Sequence, residues 1–153
     1  MTNTDARLRI VSIFLTLIGL VDAVYLTYIK LAHKEAACAG IGDCDAVNSS
    51  RYAEVAGIPI ALLGAVAYLM ILFFLIFDRQ KNVLGENSIL FVLGLSFIGV
   101  LYSAYLTYLE LFVLHAVCPF CVISAIVLVL LFALTLVRYL KEPQDFENIE
   151  GGE

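Results

Sequence analysis

The chain has 153 residues, enough for one domain, of which 62% are hydrophobic and 15% charged, and its mean hydropathy is +0.97. A water-soluble domain of this size leaves too much surface exposed to hide that much hydrocarbon, which excludes an ordinary soluble enzyme. A net charge of −5 with 9 Lys and Arg excludes a nucleic-acid binder held by phosphate contacts.

A bilayer-spanning helix needs roughly 20 mostly apolar residues, each adding about 1.5 Å. Four segments qualify, in chain order residues 8–31, 58–77, 88–113 and 118–140. The sequence therefore predicts an all-α integral membrane protein: a four-transmembrane-helix bundle over residues 1–141, with an outward loop between helices 1 and 2. The first span follows Arg7 and Arg9, and no small-residue cleavage site follows a short apolar core, so it reads as a retained anchor. Pro59 and Pro119 are expected in the first turns of the second and fourth helices, where a missing N–H costs nothing. Residues 142–153 form an acidic tail, expected to be disordered and cytoplasmic.

Basic residues orient the bundle. Arg7, Arg9, Arg79, Lys81, Arg138 and Lys141 fall on one side of a four-span arrangement, and Lys30, Lys34 and Arg51 on the other. The larger group marks the cytoplasmic side, so both termini are expected there, in what reads as a prokaryotic plasma membrane. An internal repeat agrees with this count: Ile18-Gly19 and Tyr25-Leu26-Thr27-Tyr28 return as Ile98-Gly99 and Tyr105-Leu106-Thr107-Tyr108. Two copies of one helix surface used in the same direction require an odd number of spans between them.

All four cysteines fall on the outward side, where disulfides persist. Cys38 and Cys44 lie in the first outward loop, while Cys118 and Cys121 form Cys-Pro-Phe-Cys at the mouth of the fourth span. A Cys-X-X-Cys at a helix start places thiolates near unpaired N–H groups and the positive end of the helix dipole, which lowers a thiol pKa. Cys118 is expected to face loop and water, and Cys121, a turn deeper, the apolar run that follows. Cys44 lies 15 residues before Pro59, slack enough for a mobile pair to reach a fixed one at roughly 3.3 Å per extended residue. A relay by thiol–disulfide exchange follows. Three plainer readings compete: two structural disulfides, a four-thiolate zinc site, or a scaffold. A Cys-X-X-Cys ring constrains little, an apolar helix is a poor zinc turn, and a scaffold leaves the cysteine placement unexplained. No metal is expected.

Taken together, Cys38, Cys44-Asp-Ala-Val-Asn-Ser-Ser50, Gly57-Ile-Pro-Ile-Ala-Leu-Leu-Gly64, the Tyr-Leu-Thr-Tyr repeat and Cys-Pro-Phe-Cys resemble the vitamin K epoxide reductase family, in its prokaryotic, stand-alone form. The resemblance implies that Cys38 and Cys44 form a shuttle pair, that Cys44 exchanges with Cys118, and that Cys121 is the thiolate attacking a bound quinone. It also implies a role for Ser50 at the quinone site; the plainer reading of Ser50 is an ordinary loop or cap hydroxyl. Vertebrate members that reduce the epoxide carry a Tyr where Ala125 stands, and an Asn that is missing from residues 57–77. The implied activity is thus oxidation of a separate extracytoplasmic thioredoxin-fold protein, with a membrane quinone, ubiquinone or menaquinone, as acceptor. The alternative is reduction of vitamin K quinone or epoxide.

Asp22 lies near the middle of the first span, where a charge costs about 3 kcal/mol and marks a functional site by default. It is expected to face the bundle interior, either carrying protons or bonding Ser96 or Ser103; protonated structural glue is the plainer role. His115 could act on the nearby thiols, or serve only as a polar anchor at the interface. Lys30 and Glu110, at matching places in the repeat, are expected to form an exposed pair.

Overall fold

The computed structural model describes residues 3–33, 46–47, 50–77 and 87–150, except for the side chains of residues 3, 5, 51 and 142–150. Four long helices dominate: α1 (Asn3–Leu31), α2 (Ile60–Phe77), α3 (Ser88–Leu109) and α4 (Pro119–Glu150). A π-helical turn, Glu110–Leu114, prolongs α3. Each helix contains a stretch of 18 to 27 residues long and apolar enough to cross a membrane. At 1.5 Å per residue even α2, the shortest at 18 residues, reaches about 27 Å, close to the hydrocarbon thickness. The predicted four-span helical bundle is what the chain forms.

The helices pack in a ring: α1 against α2 and α4, and α3 against the same two. The surface inverts the usual arrangement of a soluble protein. Large apolar side chains such as Phe14, Val21, Leu90, Ile98 and Ile126 face outward, while Ser12, Thr16, Thr27, Ser96 and Thr135 are buried. Their hydroxyls are satisfied within their own helices, donating to carbonyls three or four residues back, as with Thr16 to Ser12 at 2.7 Å and Ser96 to Leu93 at 3.0 Å. A buried hydroxyl satisfied in this way can sit inside a bundle surrounded by lipid. At the far end Arg9 of α1 reaches the last turn of α2, donating to the carbonyls of Leu75 at 2.8 Å and Ile76 at 3.1 Å. A guanidinium thereby donates to carbonyls of a helix's last turn, which have no partner within their own helix.

The repeat has a packing role. A Cβ on Gly19 would fall 2.3 Å from the Tyr68 ring of α2, and one on Gly99 would fall 2.8 Å from Leu128 of α4. Each glycine lets its helix approach one neighbour closely, so the two copies do the same work at two different contacts. Tyr28 and Tyr108 are both exposed near the C-terminal ends of α1 and α3, where aromatic rings favour the membrane interface.

Two boundaries and one ion pair differ from expectation. Pro59 lies outside α2, in a two-residue strand (Ile58–Pro59) paired antiparallel with Glu54–Val55. Ala56 and Gly57 both adopt positive φ, 53° and 81°, which makes the tight mirror-image turn of a hairpin and delays the helix to Ile60. Lys30 ties this hairpin to α1 through an ion pair with Glu54, 3.1 Å, rather than pairing with Glu110. α1 and α3 sit diagonally across the ring, so the expected partner lies on the wrong helix. Finally, the backbone of α4 continues through Glu150, where the composition predicts unstructured tail. Extending an existing helix adds one hydrogen bond per residue without a new nucleation cost.

Replacing Gly19 with Ala should lower the melting temperature of the detergent-solubilised protein, corresponding to about 1–3 kcal/mol, because a ring must move. Adding Tyr68→Ala should lessen the effect of the extra methyl. An unchanged melting curve for Gly19→Ala alone would contradict the close contact.

Candidate active site

Cys118 occupies the N-terminal cap of α4. Its carbonyl accepts the first helical hydrogen bond, from the Val122 N–H at 3.1 Å. The preceding link doubles back because His115 takes a left-handed conformation, φ 52°, and the Ala116 N–H returns to the Glu110 carbonyl at 3.1 Å. That reversal places the Cys118 N–H 3.2 Å from Oε2 of Glu110, which accepts its hydrogen bond. Glu110 is 3% exposed, and its Oε1 has no hydrogen-bond partner among the described residues. The carboxyl also lies alongside the Cys121 thiol.

The two cysteines are unbridged thiols. Cys118 is 1% exposed, which corrects the expectation that it faces water. The bond to Glu110 draws the cap residue inward, under the reversed link. Cys121 is the more accessible of the two. The Cys118 thiol is held below the ordinary thiol range, chiefly by the hydrogen bond from Cys121, with the first-turn N–H groups of Cys121 and Phe120 adding to it; burial and the Glu110 charge oppose them. The helix-start logic read from the sequence therefore operates, with the neighbouring thiol as the larger cause.

Cys118 and Cys121 open onto a cavity of about 350 Å³ in the half of the bundle nearer the start of α4. Its walls are mostly apolar, with contributions from all four helices, such as Leu26, Ile71, Leu95 and Leu128. Val47, Ser50, Tyr52 and Ala53 close its rim from the loop side. Ser50 thus lines the cavity at its loop side. Its hydroxyl, however, donates to the Val47 carbonyl at 2.7 Å, leaving only its lone pairs for a ligand. Cys38 and Cys44 lie outside the described residues.

Asp22 faces the interior as expected and lines the same cavity. The expected bond to Ser96 is absent: that hydroxyl donates to Leu93, and Asp22 Oδ2 has no partner among the described residues. His115 is exposed and takes no part in the cavity lining. Ala125 does not line the cavity either. The phenol nearest that role comes from α2: Tyr68, 2% exposed, whose Oη lies 2.9 Å from Ser124 Oγ. Sequence reasoning passed over Tyr68 and Ser124, and treated Glu110 only as half of a surface pair. A tyrosine within an otherwise featureless apolar span was the available signal for the first. For Glu110 it was an acid just eight residues before a cysteine motif.

A dithiol at the mouth of an apolar, membrane-embedded cavity is the arrangement expected of the resembled family, and a comparison of sequences agrees. Residues 10–136 match the Vitamin K epoxide reductase family. The chain belongs to that family. A curated relative, thiol-disulfide oxidoreductase LTO1 of Arabidopsis thaliana, is 30% identical over 129 residues, which cover 76% of this chain and 33% of that protein. The chain therefore spans about a third of the length of this relative. Family membership and four spanning helices together make it a multi-pass membrane protein.

Because the Cys118 thiol is depressed, its thiolate should persist to lower pH than that of an ordinary cysteine. In a variant lacking Cys38 and Cys44, thiolate absorbance should rise with a midpoint below the usual range. Cys121→Ala should move that midpoint upward. A Cys118 titration indifferent to Cys121 would contradict the assigned cause.

Proposed function

We propose that the protein is a membrane thiol:quinone oxidoreductase, which oxidises a thioredoxin-fold partner outside the cytoplasm and so drives protein disulfide formation. The observation that carries this reading is the placement of Cys118 and Cys121 at the edge of an apolar cavity inside a four-helix membrane bundle. Quinone acceptors are general in the family, and a cavity of about 350 Å³ suits a quinone ring. The fit is supported by its few convergent polar groups: Asp22 Oδ2 and Glu110 Oε1, both without a partner among the described residues, and the Tyr68 hydroxyl.

In this reading the partner dithiol reduces the Cys38–Cys44 disulfide, and Cys44 exchanges with Cys118. The loop supports that order. Val47, at the start of the described loop, lines the cavity that holds Cys118. The Cys118–Cys121 dithiol then closes to a disulfide, and two electrons and two protons pass to the quinone, with Cys121 as the attacking thiolate. Ser50 shapes the rim through its turn. Ubiquinone and menaquinone both suit an apolar cavity open to the bilayer. The basic-residue bias supports cytoplasmic termini and an outward-facing thiol end, in a prokaryotic plasma membrane, with the thiol donor a separate chain.

Loss of quinone absorbance, with a reduced thioredoxin-fold protein as donor, tests the reading. Cys118→Ala and Cys121→Ala should be inactive with any donor. Cys38→Ala and Cys44→Ala should fail with the protein donor yet retain turnover with a small dithiol. Full turnover by all four variants with the protein donor, or stoichiometric zinc in the purified protein, would defeat it. Asp22→Asn should slow quinone turnover and leave the melting temperature unchanged, since its carboxyl holds no hydrogen-bond partner at Oδ2 among the described residues. Undiminished turnover would remove Asp22 from proton supply.

A further inference from the structure

We infer that Glu110 is the proton acceptor of the Cys118–Cys121 dithiol, taking the Cys121 proton and passing it to the bound acceptor as the disulfide closes. The inference rests on the quinone-coupled reading proposed above. Four observations carry it. Glu110 is almost wholly buried, at 3% exposure, in a membrane-spanning segment where an acid is costly. Its Oε2 is committed to the Cys118 N–H, which fixes the carboxyl against the start of α4. Its Oε1 is free of any hydrogen bond among the described residues, and Glu110 is one of the residues lining the cavity. The same carboxyl lies alongside the thiol of Cys121. The fixed oxygen holds the geometry, and the other is left for chemistry.

The step balances. Both thiols lose a proton, the sulfurs join, and two electrons move to the quinone. Its two oxygens gain the two protons, one of them by way of Glu110. His115, the imidazole nearest in sequence, is exposed and lines no part of the cavity, so it does not compete for this role. The titratable groups that share the cavity with Glu110 are Cys118 and Cys121 of α4, Asp22 of α1, Tyr68 of α2, Tyr52 of the rim, and Tyr102 of its own helix.

The experiment uses the full chain in detergent, reduced with a small dithiol and mixed with a short-tailed benzoquinone, whose absorbance is followed through one turnover across a range of pH. Glu110→Gln keeps an oxygen for the Cys118 N–H, so its melting temperature and its apparent quinone affinity should match the wild type. Its rate should fall by roughly tenfold to hundredfold, within or just below the range of general-base contributions, and the rise of rate with pH should flatten. Glu110→Asp, a carboxyl one methylene shorter, should keep the pH-dependent rise at a lower rate. Wild-type rates for Glu110→Gln at every pH would overturn the inference. So would a rate loss matched by lost quinone affinity and a lowered melting temperature, or a pH rise missing from a folded Glu110→Asp. Cys118→Ala serves as control: if it still reduces the quinone in this assay, the thiol relay itself fails, a result distinct from failure of the carboxylate's role.

Discussion

One buried hydrogen bond, from the Cys118 N–H to the Glu110 carboxylate, joins the end of one spanning helix to the start of the next. Away from water, a helix start leaves donors that must find partners within the protein, and an acid supplies the strongest acceptor available. The consequence is geometric. The left-handed residue at His115 and the π-helical turn bring the acid back over the cap, and Cys118 is drawn beneath the surface. A dithiol that could have stood at the water interface is instead seated on the rim of a lipid-level cavity.

The cavity itself exists because the packing is uneven. Gly19 and Gly99 bring α1 onto α2 and α3 onto α4, and the core clusters around Tyr68, Leu131 and Ile71 close the bundle below. Towards the end that carries Cys118 the helices leave space that the loop residues Val47, Ser50 and Tyr52 only roof over. The hairpin, pinned to α1 by the Lys30–Glu54 pair, holds that roof in place. An ion pair at the membrane edge, with Glu54 half exposed, contributes modestly to stability, yet it sets where the loop enters the second helix.

Much of the fold was legible because the controlling variable is one-dimensional. A run of apolar residues long enough to cross a bilayer has few alternatives to a helix, since every backbone group must be bonded internally. The four spans, the Cys-X-X-Cys at a helix start and the inward-facing Asp22 were therefore readable from the chain. The Pro59 boundary was not, because a hairpin closed by two positive-φ residues outweighs the preference of proline for a first helical turn. The Lys30–Glu110 pair failed for a related reason: repeat symmetry places two residues at matching heights, and only the ring order decides whether they are neighbours.

What the sequence by itself determined was the solvent, the number of crossings and the chemical identity of the site, because these depend on hydrophobic length and on cysteines adjacent along the chain. Only the tertiary structure decided which polar groups share the cavity. Glu110, Asp22, Tyr68 and Ser124 come from four different helices, and they meet because packing brings together residues as far as 102 positions apart (124 − 22). Periodicity along one helix carries no record of that proximity. The direction in which Glu110 turns, inward to a backbone N–H rather than outward to a lysine, is settled by the fold of the link that follows it.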